Sequence, residues 1–192
     1  MHARYTALYM DNLQLEKIWT DFAKSIDGKI NQTLSTRFKS DNIFNIENDI
    51  GSVDMIWADF PAPGRGHITN IKTNFSFKLQ KNTSTTLKIL PKDFLSRILL
   101  VFNQNRQRTE IPEIDKKYIF VSNSNYFIRQ IVIDLIQFFD KTPFNSFVIT
   151  TSKEDDQNSL DIQVNTLIDK QENLDFFYKF GLLLCARLNN AV

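Results

Sequence analysis

The chain has 192 residues, 42% hydrophobic and 23% charged, with 17 Phe but only 5 Gly and 5 Pro. That composition suits one folded domain with a packed core and excludes a largely disordered chain. The net charge is +1 and Cys185 is the only cysteine, which excludes an internal disulfide, and no apolar run reaches the roughly 18 residues that span a bilayer.

Asp11 is read as the N-cap of a first helix that runs to Ile26. Leu15, Ile18, Trp19, Phe22 and Ile26 form its apolar stripe, and Asp27-Gly28 is its stop. Two readings stand between Lys29 and Asn48. Ile30, Leu34 and Phe38 have the spacing of a short helix, whereas Ile43, Phe44 and Ile46 suit a strand. Gly51 then introduces Val53, Met55 and Trp57, which alternate as a strand. Two prolines and two glycines between Pro61 and Gly66 predict a break in regular structure.

The strongest signal is the alternation from Ile71 to Gln80. Ile71, Thr73, Phe75, Phe77 and Leu79 share one parity, while Lys72, Asn74, Ser76, Lys78 and Gln80 share the other. Side chains on a strand point alternately to opposite faces, so one face is packed and the other is wet and basic. The polar run Lys81–Ser84 is read as a hairpin turn returning through Thr85, Leu87 and Ile89. Pro91 and Asp93 open a short helix that carries Phe94, Leu95, Ile98, Leu99 and Phe102. Asn103 to Glu113 is polar and loop-like. Tyr118 to Ser122 is apolar on both faces, as a central strand would be.

Ser124 or Asn125 caps the helix that follows, on which Ile128, Ile131, Val132, Leu135, Ile136 and Phe139 keep helical spacing. Phe147–Thr151 and Leu160–Val164 flank the polar run Lys153–Ser159 as a hairpin. A last helix from Gln171 to Leu188 buries Leu174, Phe177, Tyr178, Gly181, Leu184 and Cys185. No linker, repeat or low-complexity segment divides the chain. The expected fold is a single α+β domain over residues 1–192, mainly an antiparallel sheet with helices packed on one face.

Residues that carry chemistry are sparse. His2 and His67 are the only histidines, and no C-x-x-C, H-E-x-x-H or His–carboxylate spacing for a metal is present. Cys185 follows three leucines and is read as a packed thiol. Gly64-Arg65-Gly66 leads into a strand rather than a helix, so it is a turn and not a phosphate cradle. Asp155, Asp156, Asn158 and Asp161 bring oxygen ligands together, but a calcium loop begun at Asp155 would have Leu160 where Gly is required and Thr166 where Glu is required. Glu110, Glu113 and Asp115 gather carboxylates, and Asp115 is read as a turn or capping residue that pairs with a backbone N–H or an Arg if buried. No catalytic, cofactor or metal residue is assigned, and no cofactor is expected.

Charge is distributed unevenly. Between Pro61 and Arg108 nine basic residues face one acid, Asp93, so that segment carries +8 and the remainder −7. Arg65, Lys72, Lys78 and Lys88 are the candidate anion-binding surface, for nucleic acid or an anionic lipid headgroup. Against it, the aromatics needed to stack bases, Phe75 and Phe77, have the inward parity. The alternative is a solvated face whose charge the acidic remainder balances.

From about Leu87 to Asn189 the order of elements resembles a family of uncharacterised bacterial proteins, a domain of unknown function. The shared pattern is a strand ending in Pro, a short helix and a carboxylate loop. A phenylalanine–aspartate pair then leads into an x-x-F-x-V-x-S strand, a long helix, a β-hairpin and a closing helix. The corresponding run here is Ile114-Asp115-Lys116-Lys117-Tyr118-Ile119-Phe120-Val121-Ser122, with Ile114 in place of the aromatic. In some relatives such a domain follows N-terminal membrane helices. The resemblance implies no activity, ligand or catalytic residue.

The sequence therefore supports a non-catalytic binding or protein-interaction domain, with an unknown protein as partner. The alternatives are an anion-binding module on the basic sheet face and an enzyme that works through carboxylates and lysine alone, against which the absence of any mechanistic motif weighs. Met1–Met10 lacks the apolar run of a secretory signal, so a cytoplasmic location is expected, with an anchor outside this sequence left open. Self-association through exposed strand edges is a further expectation.

Overall fold

Residues 3–32, 41–62, 66–80, 83–92, 105–141, 147–154 and 157–191 are described by a computed structural model of the chain. In chain order the elements are α1 (Ala3–Ser25), β1 (Lys29–Gln32), β2 (Asp41–Glu47), β3 (Gly51–Ala62), β4 (Gly66–Lys78), β5 (Lys88–Pro91), β6 (Arg106–Gln107), α2 (Pro112–Lys117), β7 (Tyr118–Val121), α3 (Asn125–Lys141), β8 (Phe147–Glu154), β9 (Gln157–Val164) and α4 (Gln171–Asn189). The nine strands form one sheet in the order β1-β2-β3-β4-β9-β8-β5-β7-β6. Every pairing is antiparallel. The fold is α+β, as its patterning predicts. Among the described residues no helix is long and apolar enough to cross a membrane.

The parity of β4 sets the layers. Thr73, Phe75 and Phe77 are buried, whereas Lys78 is exposed and Lys72 half-buried. Phe75 stacks on Phe177 of α4 with ring centroids 5.8 Å apart, and Phe77 lies 5.4 Å from Tyr178. Tyr178 in turn meets Phe22 of α1 edge-on at 5.8 Å. Phe138 of α3 joins the same layer, stacked 3.7 Å from Phe180 and edge-on to Phe147 of β8 at 5.3 Å. So α1, α3 and α4 share one face of the sheet, and much of the chain's phenylalanine is spent there. Each fully buried Phe contributes about 1.5–3 kcal/mol over leaving it in water, and offset or edge contacts add about 0.5–1.5 kcal/mol.

Polar anchors hold the helices in register with the sheet. Trp19 is fully buried, and its Nε1–H donates to the Ile168 carbonyl at 3.2 Å. Thr73, also fully buried, donates its hydroxyl to the Thr166 carbonyl at 3.2 Å and accepts the Ile168 N–H at 3.3 Å. These bonds tie α1 and β4 to the segment that links β9 to α4. At the β2–β3 turn, Asn48 accepts the N–H groups of Ile50 and Gly51, each at 3.0 Å, through its side-chain oxygen. Its amide donates to the Ile26 carbonyl at 3.1 Å and to the Tyr178 hydroxyl at 2.8 Å. Gly51 is required here because a Cβ would collide with the Ser76 carbonyl oxygen.

Several local expectations hold. The Ser124 hydroxyl accepts the Phe127 N–H at 3.2 Å and so caps α3. β8 and β9 form the expected hairpin, with strands that extend further towards its tip. The predicted buried stripe of the last helix is buried on α4.

Others are corrected. The first helix begins at Ala3 rather than Asp11. Lys29–Asn48 contains two strands, β1 and β2, and Leu34 and Phe38 lie outside the described residues. The Pro61–Gly66 break is narrower than expected, because Pro61 pairs with His67 and Ala62 with Gly66. The described pairing of β2 with β3 ends at Trp57, so Pro61 sits where β3 has no described neighbour on that side and its missing N–H breaks no ladder bond there. Residues 63–65, with Arg65, and 93–104, with the helix expected after Pro91, lie outside the described residues. Asn103–Glu113 is not all loop, since it contains β6 and the start of α2. β7 is apolar on both faces yet lies next to the edge strand rather than at the centre.

The largest correction concerns Lys81–Ser84. β4 and β5 do not form a hairpin, because β9 and β8 lie between them. Instead residues 79–80 and 83–87, which flank residues 81–82 outside the described part, hydrogen-bond to the β8–β9 hairpin. Leu79 N–H donates to the Asn158 carbonyl at 2.9 Å, and the Asn158 amide donates to the Thr83 carbonyl at 3.1 Å. Further on, Leu87 N–H donates to the Thr151 hydroxyl at 2.9 Å and Thr151 N–H to the Leu87 carbonyl at 2.8 Å. The alternation of β9, buried at every second residue from Asn158 to Val164, matches that of β4, and this long-range match wins over proximity in sequence.

Candidate binding surface on the open sheet face

The residues of opposite parity line the face turned away from the helices. The pairing register aligns Lys29, Glu47, Ser52, Ser76, Asp161, Thr150 and Lys88 in one row across seven strands. A second row runs through Asn31, Asn45, Asp54, Asn74, Gln163 and Val148. Strands lie about 4.8 Å apart, so such rows bring side chains into contact that the sequence separates widely.

Two carboxylates organise this surface. Asp161 lies within hydrogen-bond distance of the hydroxyls of Ser76 at 2.6 Å, Ser152 at 2.8 Å and Ser159 at 3.1 Å. Ser152 and Ser159 also lie 2.6 Å apart, and because each hydroxyl has a single hydrogen, one of them can donate to the other while the other donates to Asp161. Asp54 accepts the Asn45 amide at 2.6 Å and the Ser52 hydroxyl at 3.2 Å, and Asn31 donates to the Asn45 oxygen at 3.2 Å. The result is a surface of short side chains fixed by their mutual bonds. Charge-assisted bonds of this kind are the stronger ones and hold rotamers in place.

Asp54 is only 9% exposed, and burial raises its carboxyl above the usual carboxylate range. The bonds from Asn45 and Ser52 pull the other way, and the negative charge of Glu47 adds to the rise. A carboxyl raised on folding stabilises the fold below its unfolded value, and that contribution is lost as pH climbs through the raised value. The buried negative charge on Asp54 therefore costs stability as pH rises past its unfolded value. Asp54→Asn, which keeps the shape and the acceptor for the Asn45 amide while its own NH2 donates to the Ser52 hydroxyl, is expected to gain stability relative to wild type between acid and neutral pH. Urea denaturation of both proteins at pH 4 and pH 7 reads the difference, and an advantage that does not grow with pH would refute the assignment.

Lys72, Lys78 and Lys88 all lie on this open face, but not as a contiguous basic patch. Lys88 is not on the strand next to β4: β9 and β8 intervene, which puts its Cα about 14 Å from that of Ser76, with Asp161 and Thr150 between. The expected basic face is thus one of mixed sign. Lysines are set among Glu47, Asp54 and Asp161. Phe75 and Phe77 point into the core, so β4 offers bases no aromatic platform through these rings.

The remaining candidates resolve into structural roles. Asn158 and Asp161 turn to opposite faces because their positions differ in parity, and Asp155 and Asp156 lie outside the described residues. Among the described residues no group of three or more His, Cys, Asp or Glu side chains is placed to hold a metal ion. Asp115 accepts the N–H of Thr109 at 3.1 Å and its hydroxyl at 2.9 Å, so the expected backbone N–H partner is found. Glu110, with φ of 66°, faces Arg129 at 3.2 Å on the exposed surface. Burial, with the charge of Asp161 adding to it, pushes the Cys185 thiol up to about 12, which leaves it protonated and unreactive.

The carboxylate clusters are what the sequence reading misses. Ser76 and Asp161 are 85 positions apart, and only the register of β4 with β9 places them together. The available signal is weak: single polar residues at the wet parity of their strands. No family model, no curated protein and no solved structure matches this chain.

Proposed function

We propose that the protein is a non-catalytic interaction module that presents the open face of its sheet to a polar surface of a partner protein. The observation that carries this reading is the pair of carboxylate clusters, Asp161 with Ser76, Ser152 and Ser159, and Asp54 with Asn45 and Ser52. Side chains already fixed before contact lose little entropy on binding, so a broad surface of this kind favours association. Lysines interspersed with carboxylates set register and reject wrong partners, because like charges brought together are costly. Among the described hydrogen bonds the Asp161 cluster contains serine hydroxyls and no imidazole, which argues for a scaffold rather than an acid–base device. A single buried cysteine is in keeping with a reducing, cytoplasmic setting.

A photo-crosslinking residue in place of Asn74, on the open face, is expected to give discrete protein adducts in native extract. The same residue in place of Lys179, on the exposed side of α4, is expected to give none. Lys72→Glu combined with Lys78→Glu should diminish the Asn74 adducts. Equal yields from both positions, or none from Asn74, would overturn the reading.

The anion-binding alternative draws on one observation, that Lys72, Lys78 and Lys88 share the open face. It requires retention on heparin or anionic vesicles that weakens steeply with salt, since each phosphate or sulfate contact releases counterions. The mixed charge of the face leads us to expect little retention at physiological salt and little change in Lys72→Glu/Lys78→Glu. Firm retention by wild type that this double variant loses would establish the alternative instead.

A further inference from the structure

We draw no further inference here: the strongest candidate, the open groove of about 580 Å³ between the end of α1 and the β2–β3 turn, lined by Asp27, Lys29, Glu47, Asp49 and Ile50, is an acidic cluster for which nothing in the structure points to a ligand.

Discussion

Trp19→Ala is expected to lower the stability of the fold by about 3–5 kcal/mol, the range for truncating a buried large aromatic. Trp19 is fully buried and stacks on Phe44 of β2, with ring centroids 5.8 Å apart and planes 20° from parallel. It also supplies a side-chain hydrogen bond between α1 and the β9–α4 connection, from Nε1 to the Ile168 carbonyl. Truncation therefore opens a cavity and leaves a buried carbonyl without this donor. Trp19→Phe separates the two effects, because it keeps a stacked ring and removes the N–H. A lost buried bond costs about 1–3 kcal/mol. Urea denaturation should rank wild type above Trp19→Phe and Trp19→Phe above Trp19→Ala. A Trp19→Ala loss under about 1 kcal/mol would show that α1 does not dock as described.

Gly181→Ala tests the seat of α4 on the sheet. On helix propensity alone the change would stabilise the protein by about 1 kcal/mol, since Gly is a poor residue in a helix interior. The structure reverses that sign. A Cβ at Gly181 would come well inside contact distance of Cε2 and Cζ of Phe77. Phe77 cannot swing aside, being 1% exposed and packed against Tyr178. Overpacking of this kind costs about 1–3 kcal/mol, so a net loss of stability is expected. Gly181→Ala combined with Phe77→Leu, which vacates the clash, should lose less than the two single changes together, because residues in contact do not add. A more stable Gly181→Ala protein would mean that α4 stands further from β4 than described.

Much of the fold is legible in local patterning. The parity of residues 71–80 identifies the inward rings of β4, and the 3.6-residue spacing identifies α4 with its buried stripe. On α3 that spacing finds Ile128, Ile131 and Leu135, which are buried, but Val132 and Ile136 are half-buried and the buried rings are Phe127 and Phe138. The β8–β9 hairpin is legible as well, because its two alternating runs are separated by a short polar turn. The start of α1 is not, because Asp11 is a good cap by residue type and the chain before it has no strong periodicity. Pro61 misleads for a related reason: proline excludes a paired central position, and the sequence does not say which strands lack a neighbour.

The candidate surface is legible only in part. The wet parity of Lys72, Asn74, Ser76 and Lys78 follows from the sequence, but their neighbours do not. Reading Lys88 as lying beside β4 assumes that consecutive strands pair. In the folded chain β9 and β8 take that place, so Asp161 and not Lys88 sits beside Ser76. The character of the surface changes with that exchange, from basic to mixed.

What the sequence by itself determined is which side of β4, β9 and α4 meets the core, because that depends on a periodicity of two or 3.6 residues within one short stretch. What only the tertiary structure decided is the order of the strands, and with it which hydroxyl and amide partners surround Asp54 and Asp161. A strand edge carries backbone donors and acceptors that fit any other strand, so the choice among partners rests on the packing of the whole chain against α1, α3 and α4.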